Sequence, residues 1–218
     1  MRIQELIIDE EKEESGVFAI SFVEHPAIEA DFIYLNKEHE EKFAEVEKEK
    51  RLVMGAALIP NKMIYRKDKE KDDEYNIYFS RDTIRKISEK YMKQKYQKEA
   101  TLEHQLKVDG ATVVERWIVE DPKKDKSAAY GLEVPKGTWM VTFKVDNEEL
   151  WNDFVKTGKV KGFSIEGIFE DKSEENLSKP QPNENKIDFV KRTMTMFTEQ
   201  GMEVHESFKK SMELWQEG

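Results

Sequence analysis

Phe163, Ile165 and Phe169 alternate with Ser164, Glu166 and Ile168. Period two predicts a strand that turns its large apolar side chains to one face and Ser164 to the other. Gly162 and Gly167 flank the serine and leave room for another backbone to approach. Residues 138–145 alternate just as cleanly, with Trp139, Val141, Phe143 and Val145 on one side. Residues 51–59 are apolar almost without a break and close at Pro60-Asn61, which predicts a strand buried on both faces. Shorter strands are expected over 1–10, 17–23 and 75–79. His25-Pro26 ends the second of these, because proline cannot donate to a ladder. Strands over 101–108 and 111–119 flank Asp109-Gly110, a dipeptide that signals a two-residue hairpin turn.

Helical spacing appears in three places. Ile84, Ile87, Tyr91 and Tyr96 give residues 81–98 one apolar face, with Ser80 as N-cap. Asp146 and Glu149 read as a capping box opening a short helix, with Leu150, Trp151, Phe154 and Val155 buried and Gly158 as its stop. Over 187–216, Val190, Met194, Phe197, Gly201, Val204, Phe208, Ser211 and Trp215 alternate spacings of four and three. That heptad seam predicts one helix, which packs back on its own domain or meets a partner or a second copy. Residues 37–50 are nearly all Lys and Glu around Phe43 and Val46, a solvated helix or linker. Residues 66–74 and 121–137 are charged loops, and 171–186 read as a linker. The expected fold is therefore α+β: a mainly antiparallel, partly closed sheet or barrel with packed helices over 1–170. The linker at 171–186 and an amphipathic helical tail at 187–218 follow.

Composition narrows the function classes. The net charge of −10 opposes electrostatic binding of nucleic acid, which needs a basic face. No window is apolar for long enough to span a bilayer, and the first residues do not read as a signal peptide. The chain contains no cysteine, which excludes disulfides, thiol catalysis and cysteine-ligated zinc. Its four histidines, His25, His39, His104 and His205, show no metal-ligand spacing. Neither metal nor cofactor is expected, and a cytoplasmic origin fits.

The candidate chemistry is nucleophilic. Ser164 on its strand and His104 in a separate hairpin form a candidate nucleophile and base. If Asp109-Gly110 is a two-residue turn, paired positions place Glu115 opposite His104, at a Cβ separation of about 4.5–5.5 Å. A carboxylate there orients the imidazole and stabilises its protonated form. Glu166 competes for that role, because it shares the face of Ser164. Glu103 falls on the opposite face from His104 and ranks lower. Read without chemistry, Ser164 is a polar strand residue and the His–Glu pair a surface pair. His25 before Pro26 reads as structural, and His39 and His205 as solvated. No Gly-x-Ser-x-Gly elbow is present, which argues against an α/β-hydrolase.

A resemblance adds to this reading. The segments Phe22-Val23-Glu24-His25-Pro26-Ala27-Ile28-Glu29, Leu102-Glu103-His104, Val114-Glu115-Arg116-Trp117-Ile118-Val119-Glu120-Asp121, Pro135-Lys136-Gly137-Thr138-Trp139-Met140 and Gly162-Phe163-Ser164-Ile165-Glu166-Gly167 occur in that order. Together they resemble the XkdF-type phage serine proteases, over about residues 15–171. That family is similar to the prohead proteases of tailed phages, which share a fold with herpesvirus assemblin. The resemblance implies Ser164 as nucleophile and His104 as base. It does not fix the third member, so Glu115 rests on the hairpin register alone. It further implies a prohead endopeptidase of capsid maturation, inside the procapsid in the host cytoplasm, with scaffold and major capsid proteins as partners. The alternative is an inactive scaffold or assembly protein of the same fold. The oxyanion donors are not identified, and the loop 121–137 is the candidate source. Self-association through the C-terminal helix is the other partner expectation.

Overall fold

A computed structural model describes residues 2–34, 50–68, 73–172, 184–199 and 202–217. The chain forms two compact units, Met1–Glu170 and Asp171–Gly218.

The first unit is built from three four-stranded sheets. In chain order its strands are β1 (Arg2–Ile7), β2 (Gly16–Val23), β3 (Ile33–Tyr34), β4 (Leu52–Leu58), β5 (Ile64–Asp68), β6 (Asp73–Tyr78), β7 (Ala100–Leu102), β8 (Leu106–Val108), β9 (Ala111–Ile118), β10 (Trp139–Val145) and β11 (Gly162–Ile168); β12 (Glu170–Asp171) ends the series. The sheets are ordered β12-β1-β6-β5, β3-β4-β10-β9 and β11-β2-β7-β8. Pairing is mostly antiparallel, but β1 runs parallel to β6 and β2 parallel to β7. The class is α+β as expected, with no closed barrel among the described strands.

The strands follow their side-chain pattern. β4 is buried almost throughout, which is why its sequence shows no alternation. Trp139, Val141, Phe143 and Val145 of β10 are all buried, and Met140 and Thr142 on the other face are buried too. Phe22 of β2, Phe143 of β10 and Phe163 of β11 meet with ring centroids 5.0–5.3 Å apart, joining two of the sheets. Such aromatic pairs add about 0.5–1.5 kcal/mol each beyond their area burial. Gly55 of β4 makes that approach possible. A Cβ there would lie 2.7 Å from Phe32 Cβ and 3.2 Å from the Phe163 ring.

Three expected elements differ. Helix α1 spans Arg81–Lys93 and stops before residue 98, because Lys95 takes a left-handed conformation and Tyr96–Lys98 form a separate 3₁₀ turn. Its cap is Ser80 as expected, accepting from the Thr83 N–H. The short helix near 150 is capped by Asn147, whose Oδ1 accepts the Leu150 N–H at 2.8 Å, and not by Asp146. It winds as a π-helical turn over Leu150–Val155. The Asp109-Gly110 hairpin does not form. β8 turns back on β7 through residues 103–105, whereas β9 pairs with β10 in another sheet. Gly110 still has positive φ, but its carbonyl accepts from Asp146 and Asn147, so the dipeptide marks a passage between sheets. The charged stretch 66–74 contributes its ends to the β5–β6 pair. The loop 121–137 carries one short helix, α2 (Lys126–Ala129).

In the second unit the expected single helix is two, α3 (Lys186–Glu199) and α4 (Val204–Glu217). They pack on each other, with Phe189 and Trp215 centroids 5.3 Å apart. Phe189, Thr193 and Phe197 of α3 and Ser207 and Ser211 of α4 are buried. Val204 and Phe208, assigned to the seam by spacing, are 64% and 46% exposed. A break between the helices resets the angular phase, so a seam counted through it joins different faces. The stretch 37–50 lies almost wholly outside the described residues, as does most of 171–186.

Candidate active site

β11 is an edge strand that pairs along its inner side with β2. In that register Ser164 lies opposite Ser21, and Ser21 is in turn the partner of Thr101 on β7. Three hydroxyl side chains therefore stand in one row across three strands, on the face away from Phe163 and Phe22. Glu166, two residues beyond Ser164, shares that face. Gly162 seats the start of β11, since a Cβ there would lie 2.6 Å from the Ala30 carbonyl oxygen and 2.7 Å from Pro26 Cγ.

His104 reaches the row from the β7–β8 turn. Glu103 and His104 both have left-handed φ, 52° and 56°. For an L-residue that costs about 1–2 kcal/mol each. Hydrogen bonds to β2 and the residue after it hold the turn. Glu103 N–H donates to the Phe22 carbonyl at 3.0 Å, and Glu24 N–H donates to Glu103 Oε1 at 2.7 Å. His104 N–H donates to Ser21 Oγ at 3.0 Å.

The turn sets the His104 ring beside Glu166, with Nδ1 3.1 Å from Oε1. Thr101 Oγ1 donates to the same carboxylate oxygen. With Nδ1–H given to Glu166, the lone pair of the ring is on Nε2, the nitrogen a nucleophile needs. Ser164 is nearly buried, at 9% exposure, and the His104 side chain is 42% exposed. No hydrogen bond joins Ser164 to His104 among the described residues. Catalytic contacts are often loose without substrate and tighten when it binds.

Glu115 is elsewhere. It lies on β9, opposite Thr142 of β10, and its Oε2 accepts from Lys126 Nζ at 2.5 Å. The ammonium holds its carboxyl below the usual range. The register that placed it against His104 required β8 and β9 to be partners, and they are not. Glu103 points its carboxylate at the Glu24 backbone rather than at the ring. His25 is exposed beside Glu24, His205 is exposed on α4, and His39 lies outside the described residues.

The loop 121–137 folds over β9. Trp117 Nε1–H donates to Asp125, and Lys126 lies 5.6 Å from the Trp117 ring centre. It encloses an open cleft of about 610 Å³, lined among others by Pro122, Leu132, Val134 and Pro135. None of Ser164, His104 or Glu166 lines that cleft, so the loop is not placed there as the source of oxyanion donors. Ser21 and Thr101 are not among the residues expected at the site from the sequence. The available signal was a lone hydroxyl inside each of two otherwise apolar strand segments, Ala19-Ile20-Ser21-Phe22 and Ala100-Thr101-Leu102.

A family model described as "putative phage serine protease XkdF" matches residues 39–173. The chain belongs to this family. No curated protein and no solved structure matches it. The family name asks for a serine, and the matched span holds five. Ser80 caps α1. Ser88 is buried and accepts from Arg116 at 3.1 Å. Ser127 is buried and donates to Asp125 at 2.6 Å. Ser173 lies outside the described residues. Of the four described, Ser164 alone shares a sheet face with a histidine–carboxylate pair.

Proposed function

We infer that the chain is a serine endopeptidase whose nucleophile is Ser164, with His104 as base and Glu166 in place of Glu115 as the orienting acid. Ser164 Oγ attacks a peptide carbonyl while His104 Nε2 takes its proton. The same proton passes to the leaving amine as the acyl-enzyme forms, and water then releases the acyl group by the reverse path. Glu166 holds the Nδ1–H and stabilises the imidazolium formed in each step. Because β11 is an edge strand, an extended substrate can approach along its outer side, past the Asp31–Gly162 bridge. The resemblance to prohead proteases extends the reading to scaffold and major capsid proteins cleaved inside the procapsid.

The observation that carries this reading is the His104–Glu166 contact on the sheet face that Ser164 shares. The test is cleavage of its own chain and of co-assembled scaffold by purified protein, followed by intact-mass spectrometry. Wild type is expected to cut, and Ser164→Ala and His104→Ala to lose cutting while keeping the wild-type melting temperature. Wild type as inert as Ser164→Ala with its partner present would leave the assembly-protein alternative standing.

A further inference from the structure

We propose that Thr101 and Ser21 are positioning residues for this site, Thr101 for the carboxylate of Glu166 and Ser21 for the backbone of His104. This rests on the peptidase reading above and adds to it the groups that set its geometry.

Thr101 Oγ1 and His104 Nδ1 converge on one atom, Glu166 Oε1. An ionised carboxylate accepts only, so the Thr101 hydroxyl is the donor. One carboxylate oxygen can accept both protons. The Glu166 side chain is 21% exposed, so water competes for it and its terminal torsion is soft. The bond from Thr101 removes that freedom and keeps Oε1 aimed at Nδ1. The imidazole then keeps the tautomer that leaves the lone pair on Nε2.

Ser21 acts on the other partner. It is fully buried, lies opposite Ser164 in the β11–β2 register, and its hydroxyl accepts the His104 N–H. Two consecutive left-handed residues persist only where their surroundings hold them. The N–H that Ser21 accepts belongs to the second of them, the residue that carries the imidazole. Ser21 is thus adjacent to nucleophile and base at once without being either. It lies outside the family-matched span of 39–173, so a chain cut to that span lacks one anchor of its own base.

The experiment compares Thr101→Val, which keeps the shape and drops the hydroxyl, with Thr101→Ser, which restores it, and with Ser21→Ala, all in the full chain. Two readouts are taken. One is steady-state hydrolysis of a peptide spanning a mapped cleavage site. The other is the ¹⁵N spectrum of the imidazoles, which reports which ring nitrogen of His104 carries the proton. Thr101→Val is expected to lose about 10- to 100-fold in kcat with KM little changed, as for a small misplacement of a catalytic group. Its His104 signals move away from the Nδ1–H pattern, and Thr101→Ser returns both readouts toward wild type. Ser21→Ala is expected to show the same kcat loss. Wild-type kcat and an unchanged tautomer in Thr101→Val would overturn the proposal, as would equal impairment of Thr101→Ser. If wild type hydrolyses nothing in a Ser164-dependent way, the peptidase reading has failed, and the ¹⁵N spectra still decide whether Thr101 sets the His104–Glu166 geometry. Should Ser21→Ala not fold, the Thr101 pair decides alone.

Discussion

Glu166→Gln removes one negative charge from beside His104 and keeps the size of the side chain. In the proposed mechanism the imidazole takes up a proton in the transition state, which sets a positive charge 3.1 Å from the carboxylate. A unit charge pair at that distance is worth about 1.3 kcal/mol in bulk water and about 5 kcal/mol at an effective dielectric of 20. His104 is 42% and Glu166 21% exposed, which puts the pair between these limits, at about 2–3 kcal/mol. At 1.36 kcal/mol per decade that is a loss of roughly 30- to 150-fold in kcat/KM. The assay is initial-rate cleavage of a scaffold-derived peptide, with thermal melting of each variant to show that the fold is kept. Glu115→Gln is the control, because Glu115 lies on β9 in another sheet and bonds to Lys126 of α2, and it should leave the rate unchanged. A Glu166→Gln rate within about threefold of wild type, with a large fall in Glu115→Gln, would refute the assignment of the acid and revive the hairpin register.

Gly162→Ala should cost about 1–3 kcal/mol, because its Cβ meets the Ala30 carbonyl and Pro26, and backbone gives way less readily than a side-chain end. For a chain of this length that lowers the melting temperature by roughly 2–12 °C. Rates should fall further than stability predicts, since the shifted strand carries Ser164; an unchanged melting curve would count against the close approach. The Glu115–Lys126 pair gives a pH signature. Its carboxyl is depressed in the folded state, so its contribution is present above about pH 4.5 and is lost as pH falls through the lower folded value. Both side chains are over a third exposed, which screens the pair to under about 1 kcal/mol. Urea melts of wild type and Glu115→Gln should therefore differ slightly at pH 7 and converge in acid; divergence on acidification would reverse the sign.

Much of the first unit was legible because its signals are local. The alternation in 138–145, the nearly continuous apolar run at 51–59 and the glycines around Ser164 each report their own surroundings, and each lies in a strand as expected. The hairpin expected at Asp109-Gly110 does not form, for a physical reason. A turn dipeptide states that the chain changes direction, not that the flanking strands pair, and here the two strands belong to different sheets. The turn that does form, at 103–105, carries no glycine, asparagine or aspartate and is held in its left-handed conformation by contacts from residues eighty positions earlier. Nothing local in Glu103-His104-Gln105 announces it. The tail shows the same limit, since spacings counted from the first of its two helices into the second join Val204 and Phe208 to a face they do not share.

The same contrast explains why the third member of the site was open to two readings. Ser164 and Glu166 lie on one strand, so their common face follows from period two alone. The side of the sheet from which His104 arrives depends on β2 and β7 being parallel neighbours, a pairing between segments some eighty residues apart. Once that pairing exists, Ser21 and Thr101 fall into register with Ser164, and the β7–β8 turn can set the imidazole only on the face those hydroxyls occupy. Glu166 then meets the ring because it is already there. Glu115 would have needed β8 and β9, each the last strand of its own sheet, to be joined edge to edge. Gly110, whose carbonyl accepts from Asp146 and Asn147, carries the chain from one sheet to the other, and among the described strands β9 pairs with β10 alone, with the buried Val113 and Phe143 as partners. The core sets the strand pairing, and the strand pairing decides which carboxylate stands beside His104.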